Sequence, residues 1–573
     1  MSEKVRKLVA VLLAIGLVVS MLGLSACGQD EAEKPATPAE DQPVSGGEMI
    51  FGEMVEPAYI DPYNGQETSG IQVIQAIFDS LTKFDPKTQE LLPSAAASWE
   101  PNADATVWTF KLEPDAKFHN GDPVTAQDFV YAWNRICNPK VVNTITGKED
   151  PSYISYHLAS VKGYDEMQEG TATELSGLKA IDDTTLEVTM AYPFADFEFV
   201  VAHPSLGPVQ KDAVENGVEY EGKKVAFGDM PIGNGPFKMA EPWKHNEYIR
   251  VERNDDYWGD KPYLDSVYYK IFKDTNTEYM EFEAGNLDFS IIGDGQIAQA
   301  TAKYGEAPDG YTPEPGKQCV LGAEAGIYYI NINNNDPAMK DPNLRKAVSL
   351  AIDRQAISDT VFDGTRVPAD NFLVPGIAGY EEGAWADSKY DVAAAKQALA
   401  DAGFPDGKGA PEIKLWYNAD GGHQPVMEIV QANLKDIGVT AVLSPTADFA
   451  TYLKELDAGK CQIGRLGWIA DYPIADNFLY SMFYSTSGEN KSFYVNTDVD
   501  KAIDEARGIT DTEERIAAYQ EINKTIASTN PVAPVMFYRH HHVGSDRIND
   551  FSYDAFGYGS FDKAWLTNGG AAE

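Results

Sequence analysis

The chain has 573 residues, of which 43% are hydrophobic and 11% aromatic, and its 88 acidic and 46 basic side chains leave a formal charge of -42. That length exceeds what a single core supports, so several domains are expected, and the apolar content excludes a disordered chain. So acidic a surface excludes nucleic acid as a partner and is repelled by anionic lipid. It reads either as a preference for cationic or zwitterionic ligands or as a soluble, self-repelling exported surface, and net charge alone favours the second.

In chain order, Lys4, Arg6 and Lys7 head an apolar run over 8–23, closed by Leu24-Ser25-Ala26-Cys27. A cationic head, an apolar stretch and small residues at a cut site describe an export signal over 1–26. The Leu-Ser-Ala-Cys run resembles a bacterial lipobox, which implies acylation of Cys27. A plain signal peptide and an uncleaved anchor helix are the alternatives. All three place the body outside the cytoplasm. Residues 27–46, rich in Glu, Asp, Pro, Ala and Gly, read as a disordered tether.

Short strands alternating with amphipathic helices follow, as in a mixed α/β fold. Over 106–112, Trp108, Phe110 and Leu112 share one face of a half-buried strand. Asn120-Gly121-Asp122-Pro123 forms a turn, and Thr125 with Asp128 opens a helix whose Phe129, Ala132, Trp133 and Ile136 point inward. Further helices are expected over 343–357 and 425–437. Cys137, Cys319 and Cys461 allow one disulfide at most. Cys319 and Cys461 lie in strand-like segments, but spacing alone cannot pair them. No spaced Cys/His set points to a metal or a cofactor. His540, His541 and His542 alternate along a strand and read as surface residues.

Catalytic signatures (GxSxG, HExxH, a Walker loop) are absent. Gly233-Asn234-Gly235 runs into Pro236 and reads as a turn rather than a dinucleotide fingerprint. Over 462–476, Ile463, Arg465, Gly467 and Ile469 share one strand face, and Asp471-Tyr472-Pro473 ends the strand. Charge in so apolar a run must be paired. An Arg465–Asp471 ion pair with Trp468 in the core is the structural reading. A ligand site is the functional one.

The stretch 116–133, AKFHNGDPVTAQDFVYAW, is similar to the most characteristic run of the substrate-binding lipoproteins of oligopeptide and dipeptide ABC importers. Ser98-Trp99-Glu100, Gly233-Asn234-Gly235-Pro236-Phe237, Glu252-Arg253-Asn254, Tyr257-Trp258-Gly259, Leu344-Arg345-Lys346-Ala347 and Ala351-Ile352-Asp353-Arg354 match in the same order. The resemblance implies a two-lobe periplasmic-binding-protein-like α/β fold with an extra subdomain inserted in the first lobe. The first-lobe core is expected at 47–82, 188–325 and 527–573, the inserted subdomain at 83–187 and the second lobe at 326–526. The chain would cross between lobes near Tyr328-Tyr329 and again before Val535-Met536-Phe537.

It further implies a monomeric, non-enzymatic receptor, lipid-anchored on the extracytoplasmic face of the cell membrane. The receptor would bind a peptide ligand without cofactor and pass it to ABC transporter permease subunits. By the same resemblance Asp471 receives the peptide ammonium, and Arg465, Gly467, Trp468 and Ile469 form the strand that pairs with the peptide backbone. Gln66 and Thr68 match an opposing strand, and Tyr153, Tyr329 and His423 line the pocket. Two positions that carry cations in some relatives are Phe362 and Leu456 here. That implies weak dependence on a free C-terminus, with Arg465 and His423 as substitutes. Nickel chelates, haem, opines or oligosaccharides are alternative cargoes, a surface peptide sensor is an alternative role, and nothing in the sequence argues for a hydrolase.

Overall fold

The computed structural model describes residues 42–567 apart from 54, 55, 66, 294, 420, 421 and 448. The export signal, Cys27, most of the tether and Gln66 lie outside the described residues. Among the described residues no helix is long and apolar enough to cross a membrane.

Two mixed sheets define two lobes. The first runs Phe237–Met239, Tyr248–Arg253, Ser266–Ile271, Glu48–Glu53, Phe289–Ile291, His542–Gly544 and Cys319–Val320 in spatial order. Glu48–Glu53 alternates so that Met49 and Phe51 enter the core, as period-two burial requires. The second sheet runs Val367–Pro368, Val532–Arg539, Ala323–Ile332, Ile463–Ile469, Ile413–Asn418 and Ala441–Thr446. Its central strand is buried on both faces. Tyr328, Ile330 and Ile332 pack in one core with the helices Pro342–Ala351 and Gln424–Asp436. Ile327 and Tyr329 pack in the other, with Ala475–Phe483, Thr497–Arg507 and Thr512–Ala527.

The inserted subdomain is a four-stranded antiparallel sheet, Ala96–Pro101, Val107–Leu112, Thr185–Thr189 and Leu178–Asp182, covered by the helix Ala126–Cys137. The expected cap is present: the Thr125 N–H and hydroxyl donate to Asp128 Oδ2 at 2.8 and 2.7 Å. Phe129, Ala132, Trp133 and Ile136 are buried on the inward face. Arg135, on the same helix, makes a buried bidentate pair with Asp61 at 2.7 Å and lies over the Tyr63 ring, tying the insertion to the lobe.

The family-like stretch has a structural role here. His119 Nδ1 accepts from the Gly233 N–H at 3.1 Å, and its Nε2 donates to Gly235 O at 3.2 Å. Asn234, fully buried, exchanges bonds with the backbone N–H and C=O of Asp79. A Cβ on Gly233 would lie 1.8 Å from Ile77 O, so the glycine serves close backbone approach, as a turn does.

Several expectations shift. The chain passes from the first sheet to the second between Val320 and Ala323 and returns between Arg539 and His542, rather than at Tyr328-Tyr329 and before Val535. Val532–Arg539 pairs with Ala323–Ile332, so the boundary drawn at 527 moves to about 540 and that drawn at 326 to about 322. The helix expected over 343–357 is two helices, Pro342–Ala351 and Arg354–Val361. Ile352 is extended, and the Asp353 carboxylate caps the second by accepting from the Ala356 N–H at 2.9 Å. His540 is buried at the return crossing, with Nε2 on Asp554 O at 2.7 Å and Nδ1 3.2 Å from Glu324, so it is not a surface residue. Cys137, Cys319 and Cys461 are free and buried.

Candidate functional site

The strand Ile463–Ile469 has unequal edges. On one side it pairs antiparallel with Gly326–Ile332 along its whole length. On the other it pairs with Ile413–Asn418 only at Ile463 and Gly464. Ala470 N–H donates to Ala325 O, so by strand parity residues 466 and 468 face the paired side and 465, 467 and 469 face the other. There Tyr452 Oη donates to Arg465 O at 2.8 Å, and beyond it Gly467 and Ile469 have no strand partner among the described residues. This is a short exposed edge of the kind that accepts an added strand. Glycine at 467 lets the Tyr538 ring lie against the strand: a Cβ would lie 2.1 Å from Tyr538 Oη and would force that ring aside.

Two residues past that edge stands Asp471, half-buried. Its Oδ2 accepts from Asn477 Nδ2 at 2.9 Å and from Tyr156 Oη at 3.2 Å. Oδ1 has no partner among the described residues. Burial raises the Asp471 carboxyl above the ordinary range, against the lowering by His203, Asn477 and Tyr156. A desolvated carboxylate with one uncommitted oxygen is an attractive partner for a cation. Asp471 comes from the second lobe, and it lines a cavity of about 510 Å³ whose other walls, among them Phe78, Pro204, Tyr257 and Phe556, come from the first lobe and the C-terminal segment.

Asn477, 1% exposed, organises the site, and sequence reasoning missed it. Its Oδ1 accepts from Trp468 Nε1 at 3.0 Å and from the Asp471 N–H at 3.2 Å while its Nδ2 holds Asp471 Oδ2. The signal was available in principle, since an asparagine in the first turn after a loop aspartate is placed to reach back to it.

Arg465 makes no pair with Asp471. Its Nε and Nη2 donate to Asn418 Oδ1 at 3.0 and 2.7 Å, and its guanidinium lies 5.3 Å from the Phe449 ring centroid. The structural ion pair is thereby excluded. Trp468 is half-buried and tied to Asn477, and Ile469 is 40% exposed. Tyr153 is exposed, with Oη 3.5 Å from Glu489 Oε1 across the lobes. His423 precedes the helix Gln424–Asp436, its ring 5.7 Å from that of Tyr328.

Three placements depart from expectation. Tyr329 is buried in the second-lobe core, with Oη donating to Met482 Sδ at 3.6 Å, because the odd face of its strand turns toward the helices. Thr68 begins the helix Thr68–Ile77 and lies in no strand. Leu456 is core at 1% exposed. Phe362, by contrast, carries the Arg366 guanidinium over its ring at 4.3 Å, and Arg366 also lies 4.8 Å from the Tyr538 ring, so a cation stands directly beside the apolar residue.

His157, His203 and Asp471 are the described group whose ligand atoms lie within 4.8 Å of one another. They fit a metal poorly. His203 Nδ1 accepts from the Ser205 N–H at 3.2 Å, which leaves the imidazole proton on Nε2 and no lone pair to give.

Dipeptide-binding protein DppE of Bacillus subtilis is 28% identical to this chain over 98% of it and 99% of its own length. Periplasmic oligopeptide-binding protein OppA of Escherichia coli is 32% identical over 84% of this chain and 85% of its own. The solved structure of Haemophilus influenzae OppA complexed with RPPGFSPFR superposes with a TM-score of 0.71 at 26% identity, covering 92% of this chain and all of that one. Residues 90–490 match the family described as bacterial extracellular solute-binding proteins, family 5 middle. With that match, and with two lobes joined by two crossings around a carboxylate-bearing cavity, the chain belongs to the family 5 bacterial extracellular solute-binding proteins.

Proposed function

We propose that this protein is a peptide receptor of an ABC importer. A peptide is held in the crevice between the lobes, its α-ammonium on Asp471 and its backbone laid along the free edge at Gly467 and Ile469. The observation that carries this is the conjunction of an unpaired strand edge with a carboxylate oxygen left uncommitted two residues beyond it. Main-chain pairing uses groups every peptide has, and the carboxylate fixes where the chain starts. The relatives' names, dipeptide- and oligopeptide-binding, and the peptide in the Haemophilus structure support the same cargo. Trp468 packs beside the guest. Arg465 and Arg366 supply positive charge in the second lobe, His423 and Tyr153 are further candidates for ligand contact, and Gln66, outside the described residues, and Thr68 stay candidates as well. The receptor acts as a monomer without catalysis and delivers its guest to the permease subunits.

The anchor is a thioether-linked lipid on Cys27, and its support is the run Leu24-Ser25-Ala26-Cys27 behind a cationic, apolar leader. Two measurements test the proposal. Mass spectrometry of the guest released by acid from protein purified out of the producing cells should find peptides with free N-termini. Finding only metal chelates, haem or sugars would overturn the cargo. Cys27→Ser should move the protein from the membrane fraction to the soluble exported fraction, and unchanged membrane association would refute the anchor.

A further inference from the structure

The 3₁₀ helix Tyr153–Leu158 of the inserted subdomain reaches across to the second lobe twice. Tyr156 Oη donates to Asp471 Oδ2 at 3.2 Å, and Tyr153 Oη meets Glu489 Oε1 at 3.5 Å. In a 3₁₀ helix, residues three apart eclipse one another and are separated by about 6 Å along the axis. Tyr153 and Tyr156 therefore leave the same face of this helix, and each holds one carboxylate of the second lobe.

Glu489 is half-buried, and Tyr153 is the hydrogen-bond partner of its carboxylate among the described residues. The nearby cation, Lys491, is committed elsewhere: its Nζ pairs with Asp457 at 2.8 Å and donates to Gly488 O at 2.6 Å. Burial raises the Glu489 carboxyl above the ordinary range, and the charges of Asp471 and Asp457 push the same way against Lys491. Asp471 and Glu489 are thus two half-buried carboxylates, near enough that the charge of Asp471 acts on Glu489, each held by a tyrosine of the same helix.

A second observation concerns the histidine beside Asp471. His157, next to Tyr156, is 3% exposed, and neither of its ring nitrogens has a hydrogen-bond partner among the described residues. A ring nitrogen of His157 lies within 4.8 Å of an Asp471 oxygen. Two acceptors each about 2.9 Å from one tetrahedral nitrogen are about 4.7 Å apart, so one ammonium can donate to both.

We propose that Glu489 is a specificity-determining residue which selects peptides beginning with a basic residue: the α-ammonium bridges Asp471 and His157, and the side-chain cation of the same residue pairs with Glu489. A lysine carries its second cation on a flexible four-carbon stem, so one residue can offer a charge to each of two neighbouring carboxylates. The inference rests on the peptide reading above and adds to it the class of first residue.

Calorimetry with the tripeptides Lys-Ala-Ala, norleucine-Ala-Ala and Glu-Ala-Ala tests it, because norleucine keeps the stem of lysine without its charge. Lys-Ala-Ala should bind at least about tenfold more tightly than the norleucine peptide, as a hydrogen-bonded charge pair warrants, and Glu-Ala-Ala most weakly. In Glu489→Gln the Lys-to-norleucine ratio should collapse to within about twofold. Equal affinities for the lysine and norleucine peptides in the unmodified protein, a comparison that needs no variant, overturn the inference and leave the peptide reading standing. A ratio undiminished in Glu489→Gln overturns it as well. Failure of all three tripeptides to bind overturns both.

Discussion

Asp471 is held by its neighbours so that one oxygen is occupied and the other is presented. Asn477 and Tyr156 take Oδ2, while burial lifts the carboxyl above its ordinary range. An ammonium guest favours the ionised form, so binding releases whatever proton Asp471 carries when empty. The sign follows: affinity for a free-amine peptide is level at neutral pH and declines as the medium is acidified through the raised value. That decline should begin at a higher pH than an exposed aspartate would give. Titration calorimetry in buffers of differing ionisation heat measures it, and Asp471→Asn should abolish both the decline and the proton release. Asn477→Ala leaves Trp468 Nε1 and one Asp471 oxygen short of partners in a buried setting. About 1–3 kcal/mol of stability should be lost in urea unfolding, together with peptide affinity.

Secondary-structure elements explain why the site has this shape. The neighbouring strand Ile413–Asn418 pairs only as far as Gly464, and Tyr538 lies so close to Gly467 that a side chain there must push the ring or the strand aside. Gly467→Val should therefore displace the strand and weaken all peptides alike, which calorimetry with unrelated sequences would reveal as a common factor. The insertion is fastened by Arg135 and Asp61, both nearly inaccessible. Asp61→Ala leaves the guanidinium buried without its partner, and denaturant unfolding should register a loss of about 3–5 kcal/mol.

Glu278 gives a test by pH. It is 1% exposed, and burial pushes its carboxyl up to about 7. The folded state then holds a proton that the unfolded chain, near its usual value, has lost. Its contribution is complete below about pH 4.3 and is lost as pH rises toward 7. Glu278→Gln should flatten that part of the stability profile.

At this scale the sequence was legible where local signals agreed. The Thr125–Asp128 cap, the strand at 107–112 and the strand at 463–469 all stand where period and capping place them. It was illegible where long-range packing decides. Nothing local distinguishes Tyr329, turned into a helix-covered face, from Tyr153, turned outward, and nothing local assigns Val532–Arg539 to the second sheet. Asp353 misleads for a different reason: a capping aspartate inside a continuous apolar period splits one expected helix into two.

The two lobes meet through apolar packing, with Tyr472 and Ile474 joining the first-lobe core, and through buried polar pairs. Arg515 pairs with Asp196 at 2.8 Å across the interface, with both side chains under a tenth exposed. Arg507, paired with Asp476 within the second lobe, also donates to Tyr192 Oη at 3.0 Å in the first. These contacts join the two lobes, so their strength bears on how readily the lobes separate. Asp196→Ala removes one side of a buried pair and should bias the ligand-free protein toward a more open arrangement. Small-angle scattering would detect a larger radius of gyration without peptide and the same radius as the unaltered protein with saturating peptide. No change in the ligand-free radius would show that the pair does not govern opening.

On the proposed reading, main-chain pairing and charge recognition are concentrated within the five residues from Gly467 to Asp471. The most direct measurement is calorimetry of one peptide in two forms, free and N-acetylated, against the unaltered protein and Asp471→Asn. Acetylation should cost the unaltered protein about 2–5 kcal/mol of binding free energy and should matter little to the variant, because the charge it removes has no partner there. Equal binding of the two forms by the unaltered protein, or an equal penalty in the variant, would contradict the assignment of Asp471 as the seat of the guest's positive end.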